Sequence, residues 1–355
     1  MPYRPQIDLD RPVNDQLILR TVPGAVDYLA EDVRALGARV LRRYPDGLLV
    51  EYAGPLRPLA ASRYFDVLAV DPAALDASLK DGVLGALRPS TDAGDGTRDQ
   101  TEDGPGNRTD RTGDRAEDRR AGGGVRFRVG ELGDDRWAVR DRLESGYGWT
   151  NSPNAWDVNV EPGGAEIGAL YLTQRFGELR RTPASTNPVV AAVLTRLAKI
   201  EPGQTVLDPF CGAGTLLVHA AEMARPGRLL GFDVQNRWLR MAAENLRTRR
   251  VAALLGRADA AHLPVATGAA DRVVANLPFG KRVGSHRVNA ELYPAALAEI
   301  ARVLPGNGRA VLLTDDKRLF RETVQRTRLI RVVKEIVLVR GGLHPSAYVV
   351  AKRGR

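Results

Sequence analysis

The chain has 355 residues, 43% of them apolar, which is enough for about two folded domains and excludes a wholly disordered protein. No stretch approaches the ~20 apolar residues of a membrane span, and residues 1–10 lack an apolar signal core, so we expect a cytoplasmic protein. The net charge of +9 arises in the C-terminal half, since residues 185–355 carry 27 basic and 13 acidic side chains. Such a domain attracts polyanions, most commonly nucleic acid, although the charge by itself is also compatible with a role in solubility alone.

The first predicted unit, over residues 1–89, follows the order β-α-β-β-α-β. Its helix has apolar residues at helical spacing, and its hairpin turns at Pro45-Asp46-Gly47. This order is that of a ferredoxin-like fold. The predicted elements are Leu17–Val22, Ala25–Leu36, Ala38–Tyr44, Leu48–Tyr52, Leu56–Ala61 and Tyr64–Val70.

Residues 90–124 have eight glycines and no Val, Ile, Leu, Met, Phe, Tyr or Trp. Such a segment buries too little apolar surface to offset its ordering entropy, so we predict a disordered linker. Residues 125–184 are too short for an obvious core of their own and are expected to pack with residues 72–88. Their predicted elements are the strand Val125–Val129, the helix Arg136–Ser145 and the strands Trp156–Val160 and Ile167–Thr173.

From about Asn187 helices and strands alternate strictly, which predicts a doubly wound α/β sheet that ends in an antiparallel pair. The predicted helices are Pro188–Ala198, Leu216–Ala224, Arg237–Arg247, Tyr293–Val303 and Leu319–Thr327. The predicted strands are Thr205–Pro209, Arg228–Asp233, Ala253–Gly256, Arg272–Ala275, Arg309–Thr314, Ile330–Val339 and Ala347–Ala351.

A buried strand leads into a glycine turn and a helix over residues 206–215. Gly212 and Gly214 allow close approach of the backbone to a ligand, and acids stand at three successive strand ends, Asp208, Asp233 and Asp259. The run lacks the third glycine of a dinucleotide fingerprint and any phosphate-loop lysine. This pattern favours a nucleoside-like ligand without a pyrophosphate, and S-adenosylmethionine fits.

The fourth strand of this domain ends in the run Asn276-Leu277-Pro278-Phe279. The Asn276 carboxamide oxygen and the Leu277 carbonyl are predicted to accept both N–H bonds of an exocyclic amine, while Phe279 offers a stacking face. Pro278 stiffens the loop. Lys281, Arg282 and Arg287 follow, and they would hold phosphates around an extruded nucleotide or form an ordinary solvated surface.

The only cysteine, Cys211, lies inside the glycine turn, where it is a poor nucleophile. A single cysteine also excludes an internal disulfide and a multi-cysteine zinc site, and the four histidines have no metal-pair spacing, so no metal is predicted. His219 lies on the helix face expected to pack on the sheet, which favours a core role.

The runs Asp208–Thr215 (DPFCGAGT) and Asn276–Gly280 (NLPFG) resemble the THUMP-associated guanine-N2 RNA methyltransferases. The longer run Asn276–His286 (NLPFGKRVGSH) is especially similar to the branch that makes N2-methylguanosine at position 6 of the tRNA acceptor stem. The resemblance covers about residues 183–350. Leu277 replaces the first proline of the commoner N-P-P-F form, and His219 stands where relatives commonly have an acidic residue.

The resemblance implies a Rossmann-like, seven-stranded class I methyltransferase domain over residues 185–355, with S-adenosylmethionine as donor and structured RNA, most of all tRNA, as substrate. It implies an α+β N-terminal half, with a reduced THUMP-like region and connector at residues 125–184. Asn276, Leu277, Pro278 and Phe279 would receive the guanine. The implied cofactor residues are Thr186, Asn187, Asp208, Phe210, Gly212, Gly214, Thr215, Asp233, Val234, Asp259, Ala260 and Asn276.

Two other functions are compatible with the sequence. In the first, the same chemistry acts on an amino group of a small metabolite, a peptide or another RNA, with the slightly acidic N-terminal half as a specificity lid. In the second, the chain is a non-catalytic RNA-binding protein with a vestigial cofactor pocket. The sequence assigns no activating protein partner.

Overall fold

The computed structural model describes residues 4–88, 124–279, 286–339 and 341–353. The predicted linker 90–124 therefore lies, apart from Gly124, outside the described residues. The predicted phosphate contacts Lys281 and Arg282 also lie outside them, and of Arg287 only the backbone is described, in a helix.

The N-terminal half is built on an eight-stranded sheet with the strand order β3-β4-β2-β5-β10-β9-β7-β8, beside a small pair, β1-β6. Its strands are β1 Gln6–Ile7, β2 Pro12–Arg20, β3 Arg39–Tyr44, β4 Gly47–Pro55, β5 Val67–Val70, β6 Leu87–Arg88, β7 Arg126–Val129, β8 Thr150–Asn151, β9 Val158–Glu161 and β10 Gly164–Ile167. Its helices are α1 Val26–Ala35, α2 Leu56–Ala60, α3 Leu75–Asp81, α4 Asp135–Asp141 and α5 Leu172–Phe176.

The arrangement of β2, β3, β4 and β5 confirms the predicted ferredoxin-like order. β2 lies between β4 and β5, and β3 pairs with the far side of β4, all antiparallel. β2 alternates buried and exposed side chains, and α1 buries Leu29, Ala30 and Val33. The periods of two and 3.6 residues therefore place one face of each element in a shared core.

The strands on both sides of the linker belong to one sheet. β10 pairs antiparallel with β5, with Ala165 opposite Val70, and then with β9. The hydroxyl group of Tyr147 also donates to Asp76 in α3 at 2.7 Å. Residues 125–184 thus complete the sheet begun by residues 1–89, and their assignment as a separate reduced THUMP-like region stays a prediction.

The predicted strand Ile167–Thr173 is wrong. The chain leaves the sheet at Ile167, makes a 3₁₀ turn and enters α5. Gly168 packs so closely on Trp156 and Asp157 that a Cβ there would lie 2.9 Å from the Trp156 ring. This packing is a long-range contact that local apolar alternation does not encode.

The C-terminal half confirms the predicted doubly wound sheet. Its strand order is β13-β12-β11-β14-β15-β17-β16, parallel except for β17, which runs antiparallel to both neighbours. The strands are β11 Thr205–Asp208, β12 Arg228–Asp233, β13 Leu254–Arg257, β14 Arg272–Asn276, β15 Arg309–Thr314, β16 Ile330–Val337 and β17 Ser346–Lys352. The helices are α6 Pro188–Ala198, α7 Thr215–Ala224, α8 Asn236–Thr248, α9 His286–Val303 and α10 Lys317–Thr327.

The two halves share a continuous apolar core in which residues of α1 and α6 belong to one cluster. An ion pair between Arg196 and Glu31 and a backbone hydrogen bond from Val339 to Pro23 also join them. Within the described ranges, no helix combines the length and apolarity needed to cross a membrane.

Candidate active site

Three polar side chains meet at the carboxyl edge of the C-terminal sheet. β12, β11 and β14 are neighbours and end in Asp233, Asp208 and Asn276. Parallel strands end at the same edge, where doubly wound sheets bind their ligands. The predicted juxtaposition is therefore present.

The turn between β11 and α7 needs its glycines. Gly212 and Gly214 have φ values of +51° and +78°, which side chains disfavour, and a Cβ on Gly214 would lie 3.2 Å from the Cβ of Ala242. The Asn245 amide donates to the carbonyl oxygens of Ala213 and Arg180, both at 2.9 Å. Asn245 therefore ties this turn to the segment that enters the domain, a role that the sequence pattern did not reveal.

Asp233 shapes the turn and leaves its carboxylate available to a ligand. Its two oxygens accept from the backbone amides of Gly212 at 3.0 Å and Gln235 at 2.9 Å. Burial raises the pKa of this carboxyl, and each oxygen keeps a second lone pair for a ribose hydroxyl. The adjacent Val234 side chain is 52% exposed and offers an apolar face beside it.

Asp208 lies deeper in the same edge. Its side chain is 1% exposed, and one of its oxygens accepts from the amide of Phe210 at 3.0 Å. Burial, with a smaller contribution from nearby Asp233, raises the pKa of Asp208 to about 8. At neutral pH this carboxyl holds a proton that an approaching cation would displace.

Asn276 has a fixed amide group and a free oxygen. Its Nδ2 donates to the Ala184 carbonyl at 3.2 Å and to Thr186 Oγ1 at 3.1 Å. Because a carbonyl can only accept, the NH₂ group must point there, and Oδ1 points away. Oδ1 is buried and has no hydrogen-bond partner among the residues that the structure describes. Such an atom is rare in a folded protein, and its lone pairs can accept an N–H bond from a ligand that reaches it.

Two side chains of α9 donate hydrogen bonds to the loop that follows Asn276. The Pro278 carbonyl accepts from Asn289 Nδ2 at 2.7 Å and from the Tyr293 hydroxyl at 2.8 Å. The Tyr293 hydroxyl also lies 2.7 Å from Thr314 Oγ1. Both α9 residues are buried, so they fix the backbone that carries the half-buried Phe279.

Residues 178–346 match the family model described as the RMKL-like methyltransferase domain, UPF0020. A tRNA (guanine(6)-N(2))-methyltransferase THUMP3 of Bos taurus is 30% identical over 233 residues, covering 61% of this chain and 46% of that protein. A tRNA (guanine(6)-N2)-methyltransferase of Thermus thermophilus is 32% identical over 191 residues, covering 53% of this chain and 56% of that protein. This chain thus spans about half the length of these curated relatives.

Residues 178–346 of the C-terminal half are therefore similar to the UPF0020 methyltransferase domain. These matches confirm the predicted resemblance to the THUMP-associated guanine-N2 methyltransferases. Of the solved structures, TrmN from Thermus thermophilus has a TM-score of 0.68 at 24% identity and covers 95% of this chain and 99% of its own. A putative methyltransferase complexed with SAH has a TM-score of 0.60 at 14% identity, with 97% and 99% covered. Both share the fold of the whole chain.

Several predicted cofactor residues have visible structural roles in the methyltransferase domain. Asn187 caps α6 by accepting from Val189 and Val190, and Thr186 orients the Asn276 amide. Phe210 packs half-buried on the core, and Thr215 begins α7. That these four residues also bind the cofactor stays a prediction.

The third predicted acid does not stand at a strand end, because β13 ends at Arg257 and Asp259 follows two residues later. The Asp259 side chain is exposed and accepts from the Ala261 amide at 2.9 Å, while Ala260 is buried.

Over the described ranges, no group of three or more His, Cys, Asp or Glu side chains is placed to hold a metal ion. Cys211 is buried, and burial raises the pKa of its thiol further from the reactive range.

Tyr293→Phe should lower kcat about tenfold, because one lost hydrogen bond to the Pro278 carbonyl loosens the loop after Asn276 by roughly 1.4 kcal/mol. Cofactor affinity, measured by calorimetry, should change less than twofold. Tyr52→Phe is the matched control, since the Tyr52 hydroxyl donates to Pro55 in the N-terminal sheet, and its kcat should equal that of the unmodified protein. Equal losses in both variants would contradict a positioning role for Tyr293.

Proposed function

We propose that this protein is an S-adenosylmethionine-dependent methyltransferase that methylates the N2 amine of guanine in structured RNA, with tRNA as the principal substrate. The proposal rests on the buried Asn276 Oδ1 at the end of β14, which has no hydrogen-bond partner among the described residues. The names of the curated relatives and the excess of basic side chains over residues 185–355 support the RNA substrate.

The residues of the sheet edge fit the methyl donor. Asp233 would accept from the ribose hydroxyls, and Val234 and Ala260 would flank the adenine beside Asp259. Gly212 and Gly214 leave room for the donor above the turn. S-adenosylmethionine, when bound, supplies an electrophilic methyl group on a sulfonium.

The chain's own contribution to the reaction is orientation. Asn276 Oδ1 would accept one N–H bond of the guanine amine, and the Leu277 carbonyl would accept the other, which aims the nitrogen lone pair at the methyl donor. Phe279 would stack on the base, held by the loop contacts at Pro278. As the nitrogen forms its bond to the methyl carbon, the bond from that carbon to sulfur would break and S-adenosylhomocysteine would leave. The nitrogen would then lose its proton to water, so no strong base is required.

The deciding experiment incubates the purified protein with labelled donor and unmodified bulk tRNA, followed by nucleoside analysis. We expect label in N2-methylguanosine and none when Asn276→Ala protein is used. Binding to tRNA should also weaken steeply with salt, as phosphate contacts require. Label on other nucleosides, on a small amine or nowhere would contradict the proposal.

We further propose that the reaction takes place in the cytoplasm, where tRNA is abundant.

Binding of the donor should displace the proton of Asp208. With a pKa of about 8, this carboxyl is roughly nine-tenths protonated at pH 7, and the cationic amino group of the donor favours its ionised form. Calorimetry in two buffers of different ionisation enthalpy should show close to one proton released at pH 7. The release should vanish in Asp208→Asn protein. Identical proton release in both proteins would contradict the role given to Asp208.

A further inference from the structure

A cavity of about 150 Å³ lies between the two halves of the protein, along α7 from Thr215 to Glu222. Arg63 after α2, Phe176 in α5 and Arg181 in the following segment line one side. His219 and Glu222 of α7 and Arg249 after α8 line the other. The proposed function uses none of these side chains.

The wall of this cavity holds more positive than negative charge. Glu222 pairs with two largely buried arginines, Arg63 at 2.7 Å and Arg249 at 2.5 Å, so one carboxylate faces two guanidinium groups. Arg181 adds a third guanidinium at the exposed rim, where Glu178 adds the second carboxylate. An excess of one positive charge therefore remains beside a partly desolvated space.

Two contacts hold the buried arginines in place. The Arg63 guanidinium lies over the Phe176 ring, 3.9 Å from its centre, and Arg249 Nε donates to Glu222 at 2.7 Å. Arginines that are fixed in advance lose little freedom when they bind an oxyanion, and their forked donors match its geometry.

The His219 imidazole has an unpaired nitrogen in the wall of this cavity, which independently indicates a ligand there. The side chain is 3% exposed and lines the cavity, and its Nδ1 has no hydrogen-bond partner in the described part of the chain. Burial, together with Arg63, Arg249 and Arg181, lowers the pKa of this imidazole to about 3, so it stays neutral at physiological pH. A buried polar atom without a partner, in a wall rich in arginine, is available for a hydrogen bond to a bound group.

We infer that this cavity binds a small oxyanion of the phosphate class, held by Arg63, Arg181 and Arg249 with His219 as an additional polar contact. Its volume suits a tetrahedral ion with a few waters and is too small for a nucleoside. The ion can be free inorganic phosphate or one phosphate of an RNA backbone, since both present the same oxygens.

The test titrates the full protein with inorganic phosphate and follows the melting temperature, with sodium chloride at matched ionic strength as the reference. We expect phosphate to raise the melting temperature by several degrees above the chloride reference. His219→Glu places a carboxylate where the anion binds, so this variant should lower phosphate affinity at least tenfold. The neutral variant His219→Gln is the matched control and should retain the phosphate response within threefold.

A wild-type protein without a phosphate-specific rise would overturn the inference, as would His219→Glu protein with unchanged phosphate affinity. Should His219→Glu fail to fold, Arg181→Gln at the exposed rim provides the second variant, with an expected loss in phosphate affinity of at least threefold. Unchanged affinity in that variant would count equally against the site. The titration uses neither RNA nor methyl donor, so its outcome is independent of the proposed function.

A tRNA-binding measurement identifies the source of the anion. If a backbone phosphate occupies the cavity, His219→Glu should weaken tRNA binding at least tenfold, and phosphate should compete with tRNA. If free phosphate is the ligand, tRNA affinity should agree within twofold between the His219→Glu and His219→Gln proteins.

Discussion

Asn276→Ala should lower kcat for methyl transfer by about 100-fold and leave the affinity for the methyl donor within a factor of two. The substitution removes the Asn276 oxygen, which has no hydrogen-bond partner among the described residues, so the amine is no longer aimed at its target, and misplacement of a reacting group costs on the order of 10²-fold. Single-turnover kinetics at saturating tRNA measures the chemical step, and calorimetry with S-adenosylhomocysteine measures the cofactor pocket. Asn14→Ala, on the exposed face of β2, is the control and should behave as wild type.

Asn276→Asp tests whether a hydrogen-bond acceptor at this position is enough, or whether its NH₂ group must also fix the orientation of the side chain. The carboxylate still accepts, but it faces the Ala184 carbonyl and loses the donor that fixes the side chain. We therefore expect a kcat well below wild type in this variant as well. Full activity in Asn276→Asp, or parallel losses of kcat and cofactor affinity in Asn276→Ala, would contradict the role given to this residue.

The largest effect on stability is expected at Arg175. Its guanidinium donates to four backbone carbonyls, those of Leu170 at 2.8 Å, Ala60 at 3.0 Å, Phe65 at 2.6 Å and Ser62. Burial lowers the pKa of this arginine to about 9, yet it remains charged at pH 7. Arg175→Met leaves several buried carbonyls without donors and should lower the free energy of unfolding by about 3–5 kcal/mol.

Urea unfolding at pH 7 measures this loss through the midpoint and slope. Arg57→Met is the matched control: Arg57 pairs with Asp10 at the exposed surface, where solvent screens the pair, so its midpoint should stay close to that of the wild type. Arg175→Lys should recover only part of the stability, because an ammonium cannot reach all four carbonyls. A loss below 1 kcal/mol in Arg175→Met would show that the carbonyls find other partners.

The sequence was most informative where local chemistry decides the structure. α6 was predicted at its observed bounds because the Asn187-Pro188 pair both caps and starts a helix. The strand ends at Asp208, Asp233 and Asn276 were predicted because each follows a short apolar run. The succession of helices and strands along residues 1–89 and 185–355 follows from the same periodicities, whereas the pairing of β10 with β5 does not.

Contacts between distant parts of the chain were not predictable in this way. Arg175 reaches carbonyls more than 100 positions earlier, and the strand expected at Ile167–Thr173 became a turn and helix around it. Tyr293 of α9 donates to the Pro278 carbonyl in the loop after β14, and Thr186, predicted to bind cofactor, orients Asn276 across 90 positions. Patterns within a window of residues do not report such packing.

The most direct measurement is a crystal structure of the protein with S-adenosylhomocysteine and a guanosine-containing RNA. We expect the guanine N2 within about 2.7–3.2 Å of Asn276 Oδ1. The cofactor sulfur should lie in line with the lone pair of this nitrogen, on the side from which the methyl group is delivered. An Asn276 oxygen paired with another group of the protein, or a sulfur that faces away from the guanine amine, would contradict the account.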